Sequence, residues 1–190
     1  MKEEALTLAK MALNHLDYSI ASIEESMHAL NWPGRMQHIE PMSWGGALFV
    51  DAAHNPSGLR RVMPSITERL STKKEWCLVF GCTPQDDLQT FVQPLLDMCK
   101  KYPPTNILLT VPQTGRYSGV PTSQLTGLDW SCEQAILQAS TPQEAKLFLE
   151  QIQPEYTLAI GSLYLIGELF EALNLYGSKH LELFPPNTQR

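Results

Sequence analysis

Apolar side chains recur along residues 3–30 at Leu6, Ala9, Leu13, Leu16, Ile20, Ile23, Met27 and Leu30, in steps of three and four. A chain with that period keeps returning to one face of a helix. Either one long helix of coiled-coil type or two helices broken near Asp17–Ser19 satisfies the pattern. Two helices are preferred, because the stretch from His15 to Ser19 combines weak helix formers with good N-cap residues. Ala5, Leu8, Met11 and Ala12 also widen the stripe beyond a coiled-coil seam. Trp32-Pro33-Gly34-Arg35 then interrupts the pattern, since proline and glycine end regular structure.

Beyond that break the chain alternates. Met36–Pro41 and Ala47–Asp51 predict two strands joined through Ser43-Trp44-Gly45-Gly46 as a hairpin. Helices follow at Pro56–Leu70 and Asp86–Lys101, and apolar strands at Trp76–Phe80, Asn106–Val111 and Tyr156–Ile160. Short helical pieces are expected at Ser123–Thr126, Glu133–Ala139 and Pro142–Ile152, a last helix at Leu163–Leu173, and a tail over Phe184–Arg190. Continuous apolar strands separated by helices imply a mostly parallel sheet covered on both faces, with the hairpin strand as an antiparallel edge. The expected architecture is α/β: a three-layer domain over residues 32–190, preceded by a helical segment over residues 1–31.

Composition narrows the function classes. The length of 190 residues suits one good core. A net charge of −6 argues against a general nucleic-acid binder, which needs a basic face. Cys77, Cys82, Cys99 and Cys132 form no C-x-x-C pair, so neither a zinc site nor a disulfide framework is expected, and a reduced cytoplasmic setting fits best. The opening MKEEALTLAKMAL carries charges inside its apolar pattern, unlike a signal peptide. No segment approaches the roughly 20 apolar residues of a membrane span.

In a sheet of this kind ligands gather at the carboxyl ends of the strands, where loops and helix N-termini converge. Asp51-Ala52-Ala53-His54-Asn55-Pro56 occupies such a place after the strand beginning at Ala47. It sets a carboxylate, an imidazole and an amide beside a helix start, whose free N–H groups favour an anion. Asp51 can accept hydrogen bonds from ribose hydroxyls. The same residues have a plain structural use as well. Asn55 before Pro56 is good N-cap chemistry, and Asp51 can satisfy loop amides. On the residues alone both uses stand.

Three segments together resemble one known family. Asp51–Pro56 is similar to the D-G-A-H-N-P signature of folylpolyglutamate and dihydrofolate synthases, a branch of the Mur ligase superfamily. Trp32–Arg35 resembles the W-P-G-R stretch that precedes it there, and Gly161–Glu168 (GSLYLIGE) resembles their G-S-L-Y-x-x-G/S-E segment. The order of the three matches, and the resemblance spans nearly the whole chain, with residues 71–155 matching mainly in pattern. It implies a Rossmann-like C-terminal domain that closes over ATP held mainly by an N-terminal ATPase domain, on the same or a separate chain. By the same resemblance Arg35 and Asp51 hold the nucleotide. His54 lies near the reacting end with the incoming L-glutamate and is the catalytic candidate. Asn55 either supports the adenine side or caps its helix. ATP and Mg2+ are the implied cofactors, the metal's ligands being expected on the N-terminal domain and none here; folate and L-glutamate are the implied substrates. Gly161-Ser162 reads as structural, and Arg60 and Arg61 as solvated surface.

Two departures stand out. Ala52 replaces the family glycine after the aspartate, and Gln85-Asp86-Asp87 replaces a D-K-D, losing its lysine. The sequence also contains no G-x-x-x-x-G-K-[ST] phosphate cradle, no G-x-G-x-x-G and no G-x-S-x-G. Amide formation through an acyl phosphate needs such a cradle and a metal to offset developing charge. The expectation is therefore half of a ligase site that forms no amide bond by itself. The alternative is a non-catalytic nucleotide-binding or regulatory module on the same fold. A Mur-type peptidoglycan ligase is the nearest rival within the superfamily, and Trp32 and Gly161–Glu168 fit the folate branch better. A plain interaction protein built on the N-terminal helices leaves all three motifs unexplained. The stripe over residues 3–30, if uncovered, is expected to drive self-association.

Overall fold

The computed structural model describes residues 2–16, 30–130 and 135–183. Contacts divide the chain into two units: Gly34–Tyr176, and Met1–Pro33 together with Gly177–Arg190. In the smaller unit, helix α1 (Lys2–His15) ends just before the favoured break. The predicted second helix, the tail and Cys132 lie outside the described residues. Asn31 joins this unit's two segments: its side chain donates to the carbonyls of His180 (2.6 Å) and Glu182 (3.0 Å), and its N–H to that of Leu183 (2.8 Å).

The larger unit is a six-stranded sheet. In chain order it contains β1 (Gln37–Ile39), β2 (Ala47–Asp51), α2 (Pro56–Leu70), β3 (Cys77–Phe80), α3 (Leu88–Lys101), β4 (Asn106–Thr110), α4 (Thr122–Thr126), β5 (Ala135–Ala139), α5 (Pro142–Ile152), β6 (Tyr156–Ile160) and α6 (Leu163–Ala172). The strands run β1-β2-β6-β3-β4-β5 across the sheet. Only β1 is antiparallel, paired to β2 through the expected hairpin and lying at the edge. The turn closes by hydrogen bonds from Met42 N–H to Gly46 O and from Gly45 N–H to Met42 O.

One expectation is overturned. Ala135–Ala139, predicted helical as part of Glu133–Ala139, is strand β5, parallel to β4 with Asn106 opposite Ala135 and Thr110 opposite Ala139. Alanine, leucine and glutamine favour helix locally. The open edge of β4 offers a ladder that outweighs this preference, as packing context commonly does for strands. The following Thr141-Pro142 starts a separate helix, with Thr141 Oγ1 accepting from Glu144 N–H at 3.1 Å.

Alternation along the strands sorts the two faces. Phe49, Leu78, Phe80, Ile107, Leu109, Leu158 and Ile160 pack in one cluster with the buried sides of α2 and α3. Their neighbours Leu48, Val50, Val79, Leu108 and Ala159 are equally buried and lie outside that cluster, facing the layer where α5 packs on α6. From α2 the side chains Leu59, Val62, Met63, Ile66 and Leu70 are buried. Each such burial stabilises by about 1.5–3 kcal/mol, which holds the Asp51–Pro56 loop between two fixed elements.

Candidate functional site at the carboxyl edge of the sheet

Parallel neighbours β2 and β6 send their following helices to opposite faces of the sheet. Such a switch opens a crevice beyond the strand ends. The loops meeting there are Asp51–Asn55 after β2, Gly161-Ser162 after β6, and Gly81-Cys82 after β3.

Asp51 is fully buried. Its Oδ2 accepts the Met36 N–H at 2.9 Å and its Oδ1 the Ala53 N–H at 2.8 Å. Alongside, Ala52 N–H donates to Gly34 O at 2.8 Å, and Gly34 N–H to Gln37 Oε1 at 2.9 Å. Gly34–Met36 and the Asp51–Ala53 stretch are thereby laced together, although 15 residues separate Met36 from Asp51. Half-buried Arg35 sits between Gly34 and Met36, both anchored to the β2 loop. Gly34 adopts φ +70°, and a Cβ there would lie 3.2 Å from Ile166 Cγ2 of α6. Burial raises the Asp51 carboxyl above its ordinary range. The amides of Met36 and Ala53 and the charges of Arg35 and His54 pull the other way without cancelling it.

His54 is exposed, and its Nδ1 lies 2.9 Å from Ala52 O. A carbonyl only accepts, so Nδ1 carries the hydrogen, and in that tautomer of the neutral imidazole Nε2 is the acceptor. Asn55 caps α2, its Oδ1 accepting from Gly58 N–H (2.7 Å) and Ser57 Oγ (3.0 Å). The structural use foreseen for Asn55 is thus realised. Gln85 donates through Nε2 to His54 O at 3.3 Å and Thr83 O at 3.1 Å, joining the β3 loop to the β2 loop. Asp87 caps α3, accepting from Thr90 N–H (3.0 Å) and Thr90 Oγ1 (2.6 Å).

Gly161 is held at φ +123°, and a Cβ there would stand 2.6 Å from Gly81 O, so β6 and β3 can end side by side only with glycine. Ser162 caps α6 by accepting from Tyr164 N–H at 3.2 Å. Sequence reasoning assigned no role to Glu168. Its Oε1 accepts Gln113 N–H (2.9 Å), Thr114 N–H (2.6 Å) and Thr114 Oγ1 (2.6 Å), and its Oε2 lies 2.9 Å from Gln113 N. The available signals were its place as the last position of the Gly161–Glu168 segment and a carboxylate inside the otherwise mainly apolar run Leu163–Phe170.

A broad depression of about 780 Å3 lies at the opposite edge, by the amino ends of β2 and β6. There His38 stacks on Tyr156 with Lys73 Nζ over the same ring. None of Arg35, Asp51, His54 or Asn55 lines it. Among the described residues no group of three His, Cys, Asp or Glu side chains could hold a metal, and no helix is long and apolar enough to cross a membrane.

Comparison with solved structures places this arrangement. The Yersinia pestis bifunctional folylpolyglutamate synthase/dihydrofolate synthase, solved with AMPPNP and a Mn ion, superposes with a TM-score of 0.64 at 20% identity, over 88% of this chain and 37% of that one. Escherichia coli FolC in complex with DHPP and ADP gives 0.67 at 18% identity over the same shares. Folylpolyglutamate synthase from Thermotoga maritima gives 0.63 at 22%, covering 88% of this chain and 36% of that one. The likeness is one of fold: this chain shares the fold of the matched part of these folylpolyglutamate synthase structures. A curated relative, the UDP-N-acetylmuramoyl-L-alanyl-D-glutamate–2,6-diaminopimelate ligase of Buchnera aphidicola, is 32% identical over 78 residues, 40% of this chain and 15% of that enzyme. The chain therefore spans little more than a third of the solved relatives and less of the curated one. No family model matches it.

Proposed function

We propose that this chain supplies the nucleotide- and glutamate-facing half of an ATP-dependent amide-forming ligase of the folylpolyglutamate synthase type. The observation that carries the proposal is the lacing of Gly34–Met36 to Asp51–Ala53, which fixes Arg35 at the switch point of the sheet. A guanidinium carried on a backbone fixed there suits the phosphate oxygens of a nucleotide. Neighbours of the same fold were solved with ADP or AMPPNP, which supports the choice of ligand. Asp51 enters as the residue that holds the Arg35 loop, since a fully buried carboxylate is out of a ligand's reach. His54, through Nε2, would orient the amino group of the incoming L-glutamate. Asn55 spends its carbonyl on the helix, leaving its amide N–H groups for the adenine side. A phosphate cradle and metal ligands belong, on this proposal, to a separate ATPase domain. The chain alone then turns over no ATP.

Titration calorimetry with ADP tests the nucleotide half. Arg35→Ala should weaken binding at least about tenfold, or 1.4 kcal/mol. No measurable nucleotide binding by the unaltered chain would sink the proposal, and folate-dependent ATP turnover by the chain alone would sink the half-site part. A second reading, a binding module without chemistry, is favoured by Gln85-Asp86-Asp87, where no lysine stands and Asp87 is spent on a helix cap. Amide formation on adding the N-terminal portion of FolC in trans would exclude it.

A further inference from the structure

A second arginine is built into the same edge of the sheet. The chain leaves β4 at Thr110 and makes an excursion over Pro112–Gly119 before returning, where Val120 N–H donates to Cys82 O at 2.8 Å. The excursion closes on itself, because a Cβ on Gly119 would lie 2.7 Å from Pro112 O. Its outgoing arm is pinned to α6. Gln113 and Thr114 are gripped by Glu168 through two backbone N–H groups and a hydroxyl, at 2.6–2.9 Å. One turn nearer the start of α6, Gly115 (φ +125°) lies against Tyr164, whose ring would stand 2.8 Å from a Cβ there. Gln113 Nε2 adds bonds to Val111 O (2.7 Å) and Ser140 O (2.9 Å), tying the base of the arm to the end of β5. The arm thus runs along α6 toward its N-terminus and delivers Arg116 there. Arg116 is exposed, and no carboxylate among the described residues pairs with it.

This mirrors the arrangement at Arg35. Each arginine follows a glycine at positive φ, and each glycine abuts the first two turns of α6, Gly34 at Ile166 and Gly115 at Tyr164. Ile166 and Tyr164 are two residues apart, roughly 200° around the helix at 3.6 residues per turn. The two loops therefore approach the start of α6 from opposite sides. Nothing in the core requires four hydrogen-bond contacts on one half-buried carboxylate. An arm that presents a cation does.

We propose that Glu168 is a positioning residue that holds the Pro112–Gly119 arm, so that Arg116 serves with Arg35 as a second cation for the anionic oxygens of the ligand. This rests on the function proposed above. The shared chemistry is an oxyanion, either a nucleotide phosphate or the carboxylate of the amino-acid substrate. The test titrates the full chain with ADP and separately with L-glutamate, for the unaltered protein and for Arg116→Ala, Arg116→Lys, Glu168→Gln, the Arg116→Ala/Glu168→Gln double variant, and Arg35→Ala. Arg116→Ala should weaken one of the two ligands at least about tenfold, and the ligand weakened identifies the source of the oxyanion. Arg116→Lys should recover part of the loss. Glu168→Gln should weaken the same ligand, and the double variant should be no worse than Arg116→Ala, because Glu168 acts through Arg116. Unchanged affinities in Arg116→Ala while Arg35→Ala loses ADP would overturn this inference and leave the proposed function standing. A Glu168→Gln loss that persists in full without Arg116 would mark a merely structural latch and also overturn it. Failure of the unaltered chain to bind either ligand would overturn the function itself.

Discussion

Asp51 illustrates how a residue that suits two uses by its motif is committed by the fold to the structural one. The carboxylate was legible as a candidate from its place after an apolar strand, and the structure spends both of its oxygens on the amides of Met36 and Ala53. Removing it should leave one buried and one part-buried donor without partners. Asp51→Ala is expected to cost about 2–6 kcal/mol in urea denaturation, at 1–3 kcal/mol per orphaned group. Its titration gives a second handle. Burial lifts the folded-state value above the ordinary 3.8, so between those two values the folded protein holds the proton more tightly than the unfolded chain. The stabilisation from this proton is full below the ordinary value and is lost as pH rises through the raised one. Asp51→Asn should remove that falling segment from a plot of stability against pH; an unchanged slope would show that another group sets it. Glu168 could not be found in this way. Its partners lie 54 and 55 residues back along the chain, and only the sheet order brings them to α6.

Elements with a strong period or a firm start signal were legible nearly to the residue. Pro56–Leu70 is opened by Asn55-Pro56, Pro142–Ile152 by Thr141-Pro142, and β2 and β6 are mainly apolar, fully buried runs. β5 was not, because Ala135–Ala139 is short, half-exposed and made of helix formers, and its conformation is decided by β4. The same dependence on neighbours appears where β6 turns into α6. Gly161 belongs to a motif that marks the family resemblance, yet its physical task is contact. At φ +123° an L side chain is strained, and the Cβ would press on Gly81 O at 2.6 Å, a backbone atom that cannot swing away. Gly161→Ala is therefore expected to destabilise by about 3 kcal/mol, combining the backbone strain with the overlap. Gly34→Ala makes the control. Its φ of +70° is milder, and its neighbour is the γ2 methyl of Ile166 at 3.2 Å, which has some room to move. A cost of about 1 kcal/mol follows. Equal losses at the two positions would count against contact with Gly81 as the cause.

At the scale of the whole chain, what is present matters less than what it lacks a surface for. The larger unit buries its apolar residues around one sheet, whereas α1 leaves Leu8 and Met11 about two-thirds exposed, with Leu16 just beyond its end 62% exposed. Leu8 and Met11 are three apart and share one face of the helix. Large apolar side chains grouped on one face usually mark a contact surface rather than a solvated one. In the solved relatives this fold is little more than a third of a longer chain. For the chain by itself a second copy is the partner always at hand. Sedimentation velocity should therefore show a weight-average mass that climbs with protein concentration. Changing Leu8 and Met11 together to glutamate should return it to the monomer, since like charges facing each other across a symmetric contact repel while the helix tolerates glutamate well. A mass that stays at 21.4 kDa over a hundredfold range of concentration would rule this out. So would a double variant that associates as strongly as the original, because the contact would then lie away from the α1 face.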